Sequence, residues 1–214
     1  VILETSVLLI SDGLVHPSLP ARFFLRRAMR AMPGYRFRRV ASLEALPELS
    51  LDSFRAMVLY VHHEAVSPSA LELLEGFVGR GGGLLAVHSA SASFKGEERY
   101  FDLLGGRFVE HGPVELFEVW PMAVGPHDDV FAGMPAFSVE DELYRHKYDP
   151  DNQIRFYTPI GDEREPVVWT RSHGQGRVCY CSLGHTMSSM NHPQVWQILQ
   201  HGLAWVCRGE EMLA

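Results

Sequence analysis

Four apolar runs in this chain end in a histidine or lead to one within a few residues. Residues 7–10 lead through a loop to His16, 57–61 run into His62 and His63, 84–87 end at His88, and 178–183 lead to His185. Imidazole changes charge near neutral pH and is a common metal ligand, so the pattern points to acid–base or metal chemistry. His88 is the most pointed of these. It sits in Ala86-Val87-His88-Ser89-Ala90, and small residues two before and two after a central side chain suit the crowded backbone of a sharp strand-to-helix elbow. His185 follows Leu183-Gly184, where glycine permits tight backbone. His111 follows a short strand-like segment at 106–110 and precedes Gly112-Pro113, and it could enter the same site from the side. Glu142 and Tyr144 lie two apart, on one side of the chain if it is extended, and Glu142 could orient a histidine or hold a metal. Of the adjacent His62 and His63, one at most faces a given site; His63 with Glu64 reads equally well as the start of a solvated loop. His16, beside Pro17, is as readily a plain surface residue. His127, His146, His173, His192 and His201 have no comparable setting and read as surface or structural.

These residues need elements to bring them together. Short apolar runs bounded by turn residues read as buried parallel strands, and in open α/β sheets sites form outside the carboxyl ends of the strands. Strands are expected at 7–11, 35–41, 55–61 and 84–87, with helices at 18–32 and 67–79 between them. Ser67-Pro68 is a cap with proline in the first turn, and Pro33-Gly34 is a stop. The alternation implies a parallel sheet with helices on both faces. Further on, a short helix at 98–104 closes on Gly105-Gly106, 114–120 reads as an edge strand or hairpin arm, 121–138 as loop, and 140–148 as a short strand. Segments 166–171 and 177–183 flank a hairpin connection at 173–176, and Asn191 should cap a last helix running to Cys207. One domain spanning 1–214 is the simplest organisation.

Composition narrows the classes. At 214 residues, with 46% hydrophobic and 21% charged residues, the chain is long enough for one sizeable core. A formal charge of −7 argues against a nucleic-acid surface. The arginines between Arg22 and Arg39 read as a solvated helix face and following strand. No apolar stretch reaches the ~18–20 residues of a membrane span. Cys179, Cys181 and Cys207 lack metal-finger spacing, and the first two alternate on one strand, so reduced thiols in a cytoplasmic, reducing compartment are expected. No Walker loop and no HExxH occur, and Gly81-Gly82-Gly83 precedes a strand rather than opening a helix. A serine hydrolase using Ser89 or Ser91 lacks the GxSxG signature.

Several motifs stand in register: 81–90 with His88, Leu104-Gly105-Gly106-Arg107-Phe108 with His111, 141–144, Pro166-Val167-Val168-Trp169, Gly176-Arg177-Val178, Leu183-Gly184-His185-Thr186 and Gly202-Leu203-Ala204-Trp205. In this order they resemble the trehalose-utilisation, or ThuA-like, family of the class I glutamine amidotransferase-like superfamily, over nearly the whole chain. The resemblance implies a flavodoxin-like three-layer α/β sandwich with a mostly parallel sheet, and it puts His88 where amidotransferases carry cysteine. Without a thiol there, thioester chemistry on glutamine is not available. The family is linked to disaccharide use through 3-keto-sugars. His88, His111, Glu142 and His185 match its motif positions, and His16 with His62 or His63 match less firmly. The segment between His88 and His111 is compact for the family, and such loops shape pockets.

The expectation is an enzyme acting on a small sugar or keto-sugar by isomerase, lyase or hydrolase-type chemistry. His88, His185 and Glu142 are its catalytic candidates. His16, His63, Ser89, His111 and Tyr144 are candidates for substrate contact. His88 and His185 are also candidate ligands for a divalent metal, Zn²⁺ or Mn²⁺. A homo-oligomer is compatible with this reading. The rival expectation is a non-catalytic carbohydrate-binding or assembly module that kept the fold and lost the nucleophile.

Overall fold

Strands β1 (Thr5–Ser11), β2 (Tyr35–Val40), β3 (Ala56–Tyr60) and β4 (Gly83–Val87) pair in parallel in the order β2-β1-β3-β4. In β1, β3 and β4 neither face is polar, and the reason is that both are covered. Val7, Leu9, Val58, Tyr60, Leu85 and Val87 enter one core; Leu8, Ile10, Met57, Leu59, Leu84 and Ala86 enter the other. Helices α1 (Leu19–Arg30) and α5 (Pro193–Cys207) supply apolar residues to the first core; α2 (Pro68–Gly79) and α3 (Glu98–Leu104) supply the second. The structure is a computed structural model, describing residues 4–13, 17–122 and 130–207.

The remaining strands are β5 (Gly106–Pro121), β6 (Phe137–Tyr148), β7 (Gln153–Ile160), β8 (Glu163–His173) and β9 (Gly176–Cys181). The nine-stranded order is β2-β1-β3-β4-β9-β8-β7-β5-β6. Strand β9 pairs in parallel with β4 and closes the parallel half. Every later pairing, β9–β8, β8–β7, β7–β5 and β5–β6, is antiparallel. The expectation of a mostly parallel sheet is therefore corrected: the sheet is mixed, and its longest ladder is antiparallel. The connections explain this. Hairpins at Gly161 and Gly174, both at positive φ, can join only antiparallel neighbours.

Other expectations shift at the edges. The strand expected at 114–120 is a sixteen-residue β5, because bulges near Val109 and at Gly112-Pro113 bend it without ending it. Part of the expected loop, from Phe137 on, is already β6, and β7 was not anticipated. Asn191 is the C-cap of a short helix α4 (Met187–Met190), not the start of α5, which begins at Pro193. Ser67 does cap α2, its hydroxyl accepting from the Ala70 amide. Most arginines of the 22–39 group are solvated, but Arg22 is buried against Asp12 at 2.7 Å. Among the described residues no helix is long and apolar enough to cross a membrane.

Candidate active site at the carboxyl rim

Strand β4 ends at Val87, and the chain turns at once into a single 3-10 turn, His88–Ala92. His88 makes that turn with φ at +46°, a region where non-glycine residues are uncommon and in which strain gathers at functional sites. Its backbone is held from below. The Tyr180 hydroxyl donates to the His88 carbonyl at 3.0 Å, and Ser91 Oγ lies 2.7 Å from the same hydroxyl. The imidazole is held from the side: Nδ1 lies 2.7 Å from the Ser182 carbonyl. A carbonyl only accepts, so Nδ1 carries the proton and Nε2 presents its lone pair.

His185 arrives on the turn after β9, and three elements grip that turn. The Asp141 carboxylate accepts from the Gly184 amide at 2.7 Å, the His185 amide at 3.2 Å and the Ser189 hydroxyl. The Tyr60 hydroxyl, at the end of β3, donates to the Gly184 carbonyl at 2.5 Å. Ser18, at the start of α1, donates its hydroxyl to the His185 carbonyl at 3.1 Å. Asp141 also accepts from the Glu142 amide at 2.9 Å. Burial pushes the Asp141 pKa up, against the pull of these hydrogen bonds.

Glu142 stands between the histidines. Its Oε2 lies 3.1 Å from His185 Nδ1 and 3.7 Å from His88 Nε2; its Oε1 lies 3.7 Å from His111 Nδ1. Burial also raises the Glu142 pKa, although His111 favours its charged form. The two imidazole rings, His88 and His185, are 5.4 Å apart. Tyr144 lies over His88 at 4.3 Å and stacks on His111 at 5.6 Å and 20°. The bulge at Gly112-Pro113 turns His111 toward this group. Burial, with Glu142 and Asp141 nearby, keeps the Tyr144 phenol protonated well above its ordinary pKa. Side-chain exposure grades outward: His88 0%, Glu142 8%, His185 17%, His111 35%. The group is therefore reached from the His185 and His111 side.

Of the residues singled out from sequence, His88, His111, Glu142, Tyr144 and His185 come together here. Ser89 is fully buried in the turn behind His88, its carbonyl accepting from the Ser93 hydroxyl at 3.1 Å. His63 stands farther along the rim, its Nε2 4.0 Å from Asp12 and its ring against Phe94. His62 is half-buried beside it. His16 lies outside the described residues, as does His127.

Two supports escaped the sequence reading. Asp141, which local sequence does not distinguish from its neighbour, ties β6 to the His185 turn. His146, read as surface or structural, has a side chain with no exposure. Its Nδ1 faces Glu165 Oε1 at 3.3 Å and its Nε2 lies 3.1 Å from the Tyr180 hydroxyl. The available signal was the two-residue period: Glu142, Tyr144 and His146 follow one another on one face of β6.

Comparison with known proteins adds a family and a fold. The ThuA family model, described as trehalose utilisation, matches residues 6–206. No curated protein matches the sequence. Among solved structures, a ThuA-like protein from Parabacteroides merdae ATCC 43184 superposes with a TM-score of 0.83 at 17% identity, over 95% of this chain and 90% of that one. A second, from Bacteroides uniformis ATCC 8492, gives 0.78 at 14% identity over 95% and 91%. A β-galactosidase from Bacillus circulans sp. alkalophilus gives 0.63 at 14% identity, with 98% of this chain covering 31% of that one. At such identities the likeness is one of fold.

Proposed function

Because this chain belongs to the trehalose-utilisation (ThuA) family, which implies a sugar-related role, we propose that it is an enzyme acting on a sugar or keto-sugar at the rim that carries His185 and Glu142. The observation that carries the reading is the 3.1 Å approach of His185 Nδ1 to Glu142 Oε2 at a partly open edge. An imidazole oriented by a carboxylate is a proton-transfer device suited to neutral pH. In this reading His185 takes the proton from the carbon beside a keto group, and the electron pair moves onto the carbonyl oxygen. The Tyr144 phenol, which stays protonated, donates to that oxygen; returning the proton to either carbon gives isomerisation or epimerisation. His88 lies too deep to touch substrate and acts through Glu142. His111 contacts substrate hydroxyls at the mouth. With an imidazole at residue 88, the glutaminase chemistry of the wider superfamily is not expected.

We read the parallel half of the sheet, β2-β1-β3-β4-β9, as the flavodoxin-like core of the amidotransferase-like arrangement, extended by the antiparallel strands, and residues 1–214 as one domain. The free thiols Cys179, Cys181 and Cys207 support a cytoplasmic location.

The test is turnover of a 3-keto-glucoside, followed by NMR in D₂O. The expected result is deuterium appearing at the carbon beside the ketone, with His185→Ala and Glu142→Gln each slowing it by roughly 10²–10⁴-fold. Saturable sugar binding with no exchange and no product would instead identify a non-catalytic binding module. No binding of any sugar would end the carbohydrate reading.

A further inference from the structure

Three electron-pair donors from three separate elements point at one spot. His88 must keep its proton on Nδ1, facing the Ser182 carbonyl at 2.7 Å, so the lone pair of Nε2 faces Glu142. Nε2 lies 3.7 Å from Glu142 Oε2, and His185 Nδ1 lies 3.1 Å from the same oxygen. The three ligand atoms all fall within 4.8 Å of one another. Ligands held ~2.0–2.2 Å from one metal ion at tetrahedral or octahedral angles stand about 3–3.5 Å apart; the His185–Glu142 pair meets this at 3.1 Å and the His88–Glu142 pair, at 3.7 Å, comes near it. The His88 side chain has no exposure and Glu142 is 8% exposed.

We propose that His88 Nε2, Glu142 Oε2 and His185 Nδ1 form a binding site for a divalent first-row transition-metal ion. They grip it from one side and leave the outward positions open. Two imidazoles and one carboxylate favour Zn²⁺, Mn²⁺ or Fe²⁺ over the oxygen-seeking Mg²⁺ and Ca²⁺. The supports around the trio are those a metal centre needs. The Ser182 carbonyl fixes the His88 tautomer, and Asp141 holds both the His185 backbone and the Glu142 amide. His111 stands outside the trio: the residues whose ligand atoms converge are His88, Glu142 and His185, and His111 Nδ1 donates to the Gly112 carbonyl at 2.7 Å. The open positions face His111 and Tyr144, where a ligand with two adjacent oxygens, such as the hydroxy-ketone edge of a keto-sugar, could chelate the ion. This last clause alone rests on the function proposed above.

The experiment strips the full chain with a chelator and titrates it with Co²⁺, followed by the visible absorption of the bound ion, and with Zn²⁺ by competition. One equivalent is expected, with absorption in the range of imidazole-ligated Co²⁺. His185→Ala, partly exposed and easily tolerated, and Glu142→Gln should each weaken binding at least ~100-fold, and Asp141→Asn by ~10–100-fold. His111→Ala should stay within a few-fold of the parent. Absence of stoichiometric binding, or equal affinity in folded His185→Ala and Glu142→Gln proteins, overturns the proposal. Metal capture without sugar turnover upholds the metal site while removing the enzymatic reading. Turnover by fully metal-free protein upholds the enzymatic reading, and the titration alone then decides the metal site.

Discussion

The His146 side chain is shut off from solvent, and its protonation bears on stability. Burial holds its pKa below the usual 6.5, with Glu165 pulling the other way. The folded state therefore binds this proton more weakly than the unfolded chain does. The stability contributed by the neutral ring is complete above pH 6.5 and is lost as pH falls through the depressed value. Urea unfolding between pH 7.5 and 5 should show this decline, and His146→Gln should flatten its upper part; parallel curves for the two proteins would show that His146 does not drive it. At this scale the sequence was partly legible. His88 and His185 could be chosen because each follows the end of a strand, and Glu142 and Tyr144 because they are two apart. Asp141 could not, and His146 only through its two-residue period with Tyr144, because their roles depend on what packs against them. Nothing in the local sequence of β6 says that Tyr180 or the Gly184 amide will be there.

Among the elements, the turn after β9 carries the site's reach into solvent. Gly184 takes φ of +118° there, and a Cβ on it would approach Met190 Cε to 2.7 Å. The methionine can swing aside; the backbone angle is the harder constraint. Gly184→Ala should therefore lower stability by about 1–3 kcal/mol, the usual cost of a forced backbone conformation, and should carry His185 off Glu142. Chemical denaturation and a structure of the variant measure the two effects. Unchanged stability with His185 in place would show that the turn is not strained. Strands β1, β3 and β4 and helices α1 and α2 were legible because apolar runs and caps are local signals. Strand β5 was legible only as two separate pieces, 106–110 and 114–120, and not as one strand. Its first half is mostly polar and bulged, and its order comes from pairing with β6, not from its own pattern.

The whole molecule is a parallel half that supplies His88 and His185 and an antiparallel half that supplies Glu142, Tyr144 and His111. The parallel half follows from helix–strand alternation. Of the antiparallel half the β8–β9 hairpin was legible from its turn at 173–176; the order of the other strands could not be derived, since it depends on long-range contacts. An ion bridging the halves should stabilise the entire fold. At a metal concentration 100 times Kd the gain is ~2.7 kcal/mol, about 5–10 °C in Tm for a chain of this size. Differential scanning calorimetry of stripped and Zn²⁺-loaded protein would show it, and identical transitions would count against a bridging role.

The grip on the turn at residues 184–185 has a consequence for how the chain matures. Its fingers come from Ser18, Tyr60 and Asp141, separated by long stretches of polypeptide whose closure must come first. The grouping of His88, Glu142 and His185 is thus expected to be among the last features to form. A newly made chain with its early strands and helices in register would still lack it, because it exists only once the distant segments have met.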